Sequence, residues 1–333
     1  MKHSVFEALA EAARREEKVA LGIITGVKGS SPQKLGAKAL FFPDGRINGT
    51  LGGGCLEAEI QQRALRSLQT GESSTFELVL DHDFGWDDGL ICGGKVFGVI
   101  LPNAQNVGEK FWRKLAERKS ISPWGVKTDF SIAMESRAGV PPVQRTRQRE
   151  AEVIDKKSGR LEARPTFDWL YQESIAPPCP LWIAGAGHIA QAVAPLASKL
   201  DFDVTVFDDR PALCNYEFFP DEITLRVGDW DKLLQETPTA QSSFALVVTR
   251  GHRHDALVLK DWIQKDFAFI GMIGSARKAR IIFDHLLEEK IATAEQTDRV
   301  ACPVGIKILS ESVEEIAVSI MAQFIEKRAT VAG

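Results

Sequence analysis

Three glycines followed by a cysteine, Gly52-Gly53-Gly54-Cys55, are the residues of this 333-residue chain best suited to holding an anion or a soft metal. Glycine backbone curls into conformations closed to other residues, so successive N–H groups can point at one ligand. Leu56, Ile60, Ala64 and Leu68 recur at a spacing of four and predict a helix with one buried face. Its positive end would face the same ligand. A cysteine at a helix start has a lowered pKa and serves as a nucleophile or a soft-metal ligand. The plain alternative is a glycine turn with a buried cysteine. Ile91-Cys92-Gly93-Gly94-Lys95 sets a second thiol beside two glycines and a lysine. If the two loops face one another, Cys55 and Cys92 make a two-thiol site for a thiophilic metal, not for magnesium or calcium. The loop around Lys34, with Lys38 nearby, either adds anion contacts or is simply solvated.

The second half carries a different set. Gly185-Ala186-Gly187, with Ala190 in the third position, follows a short apolar run and opens a helix, and Asp208 ends the next strand. This is the layout of a dinucleotide fold: glycines for the tight turn, a helix end for phosphate, an acid for a ribose hydroxyl. The alternative is that the glycines only pack helix on strand. Arg210 follows with a phosphate contact in reach, and His188 stands in the first turn as a structural or ligand-adjacent residue. Thr249-Arg250-Gly251-His252-Arg253-His254-Asp255 lies at a strand end, where open parallel sheets bind ligands. His252 or His254 with Asp255 would be a proton-transfer pair or metal ligands; the alternative is an Asp helix cap beside exposed histidines. Gly274-Ser275, before Arg277 and Lys278, is either a second phosphate cradle or a plain helix cap.

Two kinds of scaffold position these motifs. Val19–Val27, Ala37–Phe42, Ile47–Thr50, Thr75–Leu80 and Val96–Leu101 read as strands around the first site, giving a mixed α/β domain over 1–105. Residues 106–178 read as an extension and linker: a helix over Gly108–Lys119, a charge-dense stretch, paired prolines and a hairpin turn at Ile154–Leu161. From 179 to 333, strands alternate with helices, which predicts a doubly wound, Rossmann-like parallel sheet. The expected strands there include Ile223–Val227, Ala245–Thr249 and Phe267–Ile273, and the helices Asp255–Lys265, Ala276–Glu289 and Val313–Arg328.

Composition bounds the rest. Hydrophobic residues are 44% and charged residues 26%, ordinary for a soluble globular chain. A net charge of -4 makes no electrostatic case for nucleic acid or an anionic membrane. The helix expected at Val5–Lys18 is too charged for a signal peptide, and no run approaches the roughly 18 apolar residues of a membrane span, so a cytoplasmic protein is expected. Five cysteines, odd in number and without a CxxC pair, argue against a disulfide framework or zinc ribbon. Cys179 and Cys214 lack supporting neighbours, and Cys302 reads as a small buried hydrophobe.

Taken together, Gly29–Ile60, Ile91–Val96, Pro180–Val193, Thr249–Leu259, Gly271–Lys278, Pro303–Ile306 and Glu314–Ile320 resemble the xanthine dehydrogenase accessory proteins of the XdhC/CoxI type. The pair GTLGGGCLE and GMIGS in one chain carries most of that resemblance. The resemblance implies a maturation chaperone, not an enzyme. Such a protein binds the molybdenum cofactor (molybdopterin) while a cysteine desulfurase supplies sulfur. It then assists insertion into a xanthine-dehydrogenase-type molybdenum hydroxylase. It also implies a homodimer, Cys55 as the cofactor-proximal thiol, Cys92 as a second candidate and Gly52–Gly54 as the cradle. The chain departs from the family's usual residues at Ala276, Ala301, Leu309 and Ser310. The competing expectations are an NAD(P)-dependent oxidoreductase, with NAD(P) or another nucleotide on the second domain, and an adaptor that docks both partners without holding the ligand.

Overall fold

Val19 to Ile24 carries no polar side chain because the strand it forms is covered on both faces. In a computed structural model, which describes residues 2–29, 33–80, 94–134, 143–144, 169–237 and 242–331, this segment is β1 (Ala20–Lys28). It is the centre of an antiparallel sheet with β2 (Lys38–Phe41), β3 (Ile47–Gly49), β4 (Ser74–Leu80) and β5 (Gly94–Leu101), in the order β3-β2-β1-β5-β4. Ala20 and Ile24 point to one face, where α2 (Gly54–Thr70) lays Leu56, Ile60 and Ala64 on the sheet. Leu21 and Ile23 point to the other, toward α1 (Lys2–Arg14) and α3 (Glu109–Glu117), as the two-residue period of a strand requires.

The stretch expected to be an extension and linker is in part core. Residues of β6 (Ser122–Lys127), β7 (Ile132–Met134), β8 (Val143–Gln144) and β9 (Trp169–Ile175) pair in a second antiparallel sheet, ordered β7-β6-β9-β8. Trp124 and Tyr171 from this sheet join the cluster of Phe6, Leu9, Trp112 and Leu115. The first unit accordingly runs from Met1 to Pro177, well past residue 105, and the second from Pro178 to Gly333. The hairpin turn expected at Ile154–Leu161 lies outside the described residues.

The second unit has the parallel sheet that its alternation of elements predicts. Strand β10 (Cys179–Ala184) is flanked by β11 (Phe202–Asp208) and β13 (Phe244–Val247), and the order is β12-β11-β10-β13-β14-β15. The outer strands are β12 (Thr224–Val227), β14 (Phe269–Met272) and β15 (Val300–Ala301). Every described pairing in it is parallel. Leu181 and Ile183 face a core that takes in α4 (His188–Lys199) and α9 (Val313–Val331). Trp182 and Ala184 face the opposite core, with α5 (Trp230–Gln235), α6 (His252–Trp262) and α7 (Ala276–Glu288). A short α8 (Ala294–Asp298) leads into β15. The chain winds outward from β10 in both directions, so the topological switch point lies between β10 and β13. No helix among the described residues is long and apolar enough to cross a membrane.

Candidate functional site

In the first unit the sheet register brings the predicted loops to one edge. β1 ends and β2 begins there, with the loop bearing exposed Lys34 between them. β3 also ends there, its Gly49 opposite Ala39, and Thr50 N donates to Lys38 O at 3.2 Å. Leu80, ending β4, and Gly94, opening β5, pair at the same edge, with Lys95 opposite Lys28. Cys92 itself lies outside the described residues, as does the Cys55 side chain.

Gly52, Gly53 and Gly54 have φ of 129°, 70° and 58°, three successive values that L side chains avoid. A Cβ on Gly53 or Gly54 would meet nothing within 4 Å, so this backbone faces open space. Gly53 caps α2 with no side-chain hydrogen bond, and Cys55 is the second helical residue. The first N–H groups of a 17-residue helix are therefore left without a side-chain cap. Glu57 braces the approach. Its Oε2 accepts from Thr50 Oγ1 at 2.8 Å and from Leu51 N at 3.0 Å, while Gly52 N donates to Thr50 Oγ1 at 3.2 Å. The sequence reading missed this bracing role, although Glu57 stands in the first turn, where acids favour a helix start.

A buried ion pair holds the neighbouring loop. Lys38 Nζ lies 2.5 Å from Glu173 Oε1, both side chains being 9% exposed. It also donates to Gly36 O at 2.8 Å and to Tyr171 Oη at 3.2 Å. The rings of Phe6, Trp124 and Tyr171 surround the ammonium within 5.7 Å of their centroids. Trp124 Nε1 donates to Glu173 Oε1 at 2.8 Å. Burial first, and then the Glu173 charge, push the Tyr171 phenol well above its ordinary range, so it stays neutral. The partners stand some 135 positions apart, which is why no local motif signalled this cluster.

In the second unit the predicted residues divide by role. Gly185 (φ 112°) is a packing residue, for a Cβ there would sit 2.4 Å from Val248 O. Gly187 caps α4 and Gly251 caps α6, neither with a side-chain bond, and His188 and His252 are exposed in the first turns. Asp208 is 1% exposed. Its Oδ2 accepts from Ala186 N at 2.6 Å and Arg210 Nη2 at 2.7 Å; its Oδ1 accepts from Arg210 N at 2.9 Å and Nε at 2.8 Å. Burial works to raise this carboxyl, but Arg210 and the two backbone N–H groups outweigh it and hold it below the usual carboxylate range.

Asp255 does not pair with the histidines, because it lies on the buried side of α6 while His252 and Arg253 lie on the exposed side. Its Oδ1 accepts from Thr249 Oγ1 at 2.7 Å and Thr249 N at 3.2 Å, and its Oδ2 forms an ion pair with Lys278. It is not the cap of α6 either, since Gly251 holds that position. His254 instead meets Arg250 Nη2 at 3.0 Å. Lys278 also donates to Ile273 O at 3.1 Å, and the Ser275 hydroxyl caps α7 by accepting from Lys278 N. Ser275 thus caps α7, with the nearby Lys278 side chain turned inward toward Asp255. Among the described residues, no group of three or more His, Cys, Asp or Glu could hold a metal.

Cys179, Cys214 and Cys302 are free thiols. Burial pushes Cys179 and Cys214 up to about 11, and also raises Cys302 against the opposing pull of Lys278. At pH 8 only about 0.1% of a thiol with that pKa is thiolate. Maleimide labelling of the native chain, read by peptide mass spectrometry, is expected to leave Cys179 and Cys214 unmodified until the chain is unfolded. Labelling of Cys214 at the rate of a free cysteine would contradict this environment.

A glycine-opened helix start on a mixed α/β unit, followed by a Rossmann-like parallel sheet, defines the class: a two-domain α/β protein with a dinucleotide-type second domain and an N-terminal glycine-thiol loop. Residues 181–324 match the XdhC Rossmann domain, and residues 12–79 match the XdhC and CoxI family, together more than half of the chain. The chain belongs to the XdhC and CoxI family. It is 28% identical over 340 residues to a Bacillus subtilis (strain 168) protein named as a probable subunit of xanthine dehydrogenase, covering 99% of this chain and 98% of that one. It is 25% identical to the Escherichia coli (strain K12) molybdenum cofactor insertion chaperone PaoD, covering 91% and 81% of the two chains. A Bacillus halodurans protein, whose crystal structure is described as that of a xanthine dehydrogenase, superimposes with a TM-score of 0.76 at 25% identity, over 98% of this chain and 96% of that one.

Proposed function

We propose that this chain is a maturation factor that carries the molybdenum cofactor and delivers it to a xanthine-dehydrogenase-type molybdenum hydroxylase. The observation that carries the reading is the glycine-opened, uncapped start of α2 with Cys55 in its first turn. It stands in a chain related to a molybdenum cofactor insertion chaperone. The cargo joins an anionic phosphate, a pterin rich in hydrogen-bonding groups and a thiophilic metal. Backbone N–H groups at Gly53 and Gly54 suit the anionic and polar parts, with Gly52, whose own N–H donates to Thr50 Oγ1, shaping the turn. Cys55, a soft sulfur donor in the first turn of α2, suits the metal, and Cys92 is the second thiol in the same role. Lys34 adds positive charge at that sheet edge. A cysteine desulfurase supplies the terminal sulfur while the cargo is held, and the chain works as a homodimer in the cytoplasm.

Transfer is the test. Full-length chain loaded with the cofactor is mixed with cofactor-free hydroxylase, and the appearance of hydroxylase activity is followed. Activation is expected to be faster than with free cofactor, and slower with Cys55→Ala. Equal rates with and without the chain would remove the delivery role.

A further inference from the structure

We infer that the Rossmann-like domain of this chain is closed to nicotinamide dinucleotides by two arginine latches, one on the ribose-binding acid and one across the switch point. Asp208 occupies the position whose carboxylate would accept the ribose hydroxyls of a dinucleotide. A carboxylate offers about four lone-pair sites. All four are occupied, by Ala186 N, Arg210 N, Arg210 Nε and Arg210 Nη2, at 2.6 to 2.9 Å. The acid is buried and Arg210 is half-buried over it, so a ribose would have to displace a forked guanidinium to reach it. A 2′-phosphate would meet the same buried carboxylate as a like charge.

The second latch spans the flanking loops. β10 lies between β11 and β13, and its Gly185–Gly187 turn is where a dinucleotide would lay its pyrophosphate. Asp209, following β11, pairs with Arg250, following β13, at 2.8 Å. This bridge ties the loops on either side of the β10 turn, and His254 at 3.0 Å steadies the same guanidinium. The domain keeps the glycine turn and the uncapped start of α4, while both acids at the end of β11, Asp208 and Asp209, are turned to internal use.

The test is an NADH and NADPH fluorescence titration of the full chain, followed by the Arg210→Ala/Arg250→Ala double variant. The wild type is expected to show no saturable binding up to about 1 mM. The double variant, with Asp208 and Asp209 released, is expected to bind NADH at least about tenfold more tightly. Circular dichroism and thermal melting check that it is folded; if it is not, Arg250→Ala alone, at a largely exposed position, carries the comparison with an expected gain of about threefold. Wild-type binding at or below about 100 μM, or a folded variant no tighter than wild type, overturns the inference. The titration reads dinucleotide binding and not pterin, so its outcome is separate from that of the cargo proposal.

Discussion

Glu173→Ala lowers the unfolding free energy of the chain by about 3–5 kcal/mol, the range for breaking a buried ion pair by removing one partner. The loss is large because two groups are stranded together. The Lys38 ammonium keeps its aromatic cage but loses its counter-charge, and Trp124 Nε1 loses its acceptor. Lys38 also holds Gly36 O, so the loop before β2 loosens along with the pair. Urea unfolding followed by tryptophan fluorescence measures the change, since Trp112 and Trp124 lie in the affected core. If residues 106–178 were only a tether, the substitution would fall within the roughly 0.5 kcal/mol typical of surface changes. A shift that small would contradict the packing described for β9.

The second large effect belongs to Asp255. Replacing it with alanine strands Lys278 and removes the acceptor of Thr249 N and Oγ1, again at about 3–5 kcal/mol. His252→Ala, at an exposed position in the same motif, should change stability by no more than about 0.5 kcal/mol. Denaturant unfolding of both variants separates two accounts of TRGHRHD. In the structural account Asp255 ties the loop after β13 to the start of α7. In the proton-transfer account Asp255 and the histidines act together, and the two variants would leave stability alike while abolishing one activity alike. Equal, small stability effects would sink the structural account.

The alternation of strand and helix after residue 179 made the parallel sheet legible, because each βα unit is local in sequence. The expected strand Ile223–Val227 and the observed β12 (Thr224–Val227) differ by a residue, as do Ala276–Glu289 and α7. The glycine-thiol helix start was legible for the same reason, since its parts are contiguous. The second sheet was not. β6 contains Pro123 and Gly125 and pairs with β9 more than forty residues later, so neither strand shows a hydrophobic period of its own. The partners of Asp208 and Asp255 were not legible, because a motif gives residue type and strand-end placement. It does not give which donors fill a carboxylate, here Arg210, two residues on from Asp208, and Lys278, 23 residues on from Asp255.

Quantified pterin on the purified chain tests the central claim most directly. The full chain and its Cys55→Ala variant are isolated from a host that makes the molybdenum cofactor, and the released, oxidised pterin is measured by fluorescence against protein. The wild type is expected to carry pterin in a fixed ratio to chain and the variant several-fold less, with both equally folded. Absence of pterin from the wild type, both as isolated and after reconstitution with cofactor, would contradict the account.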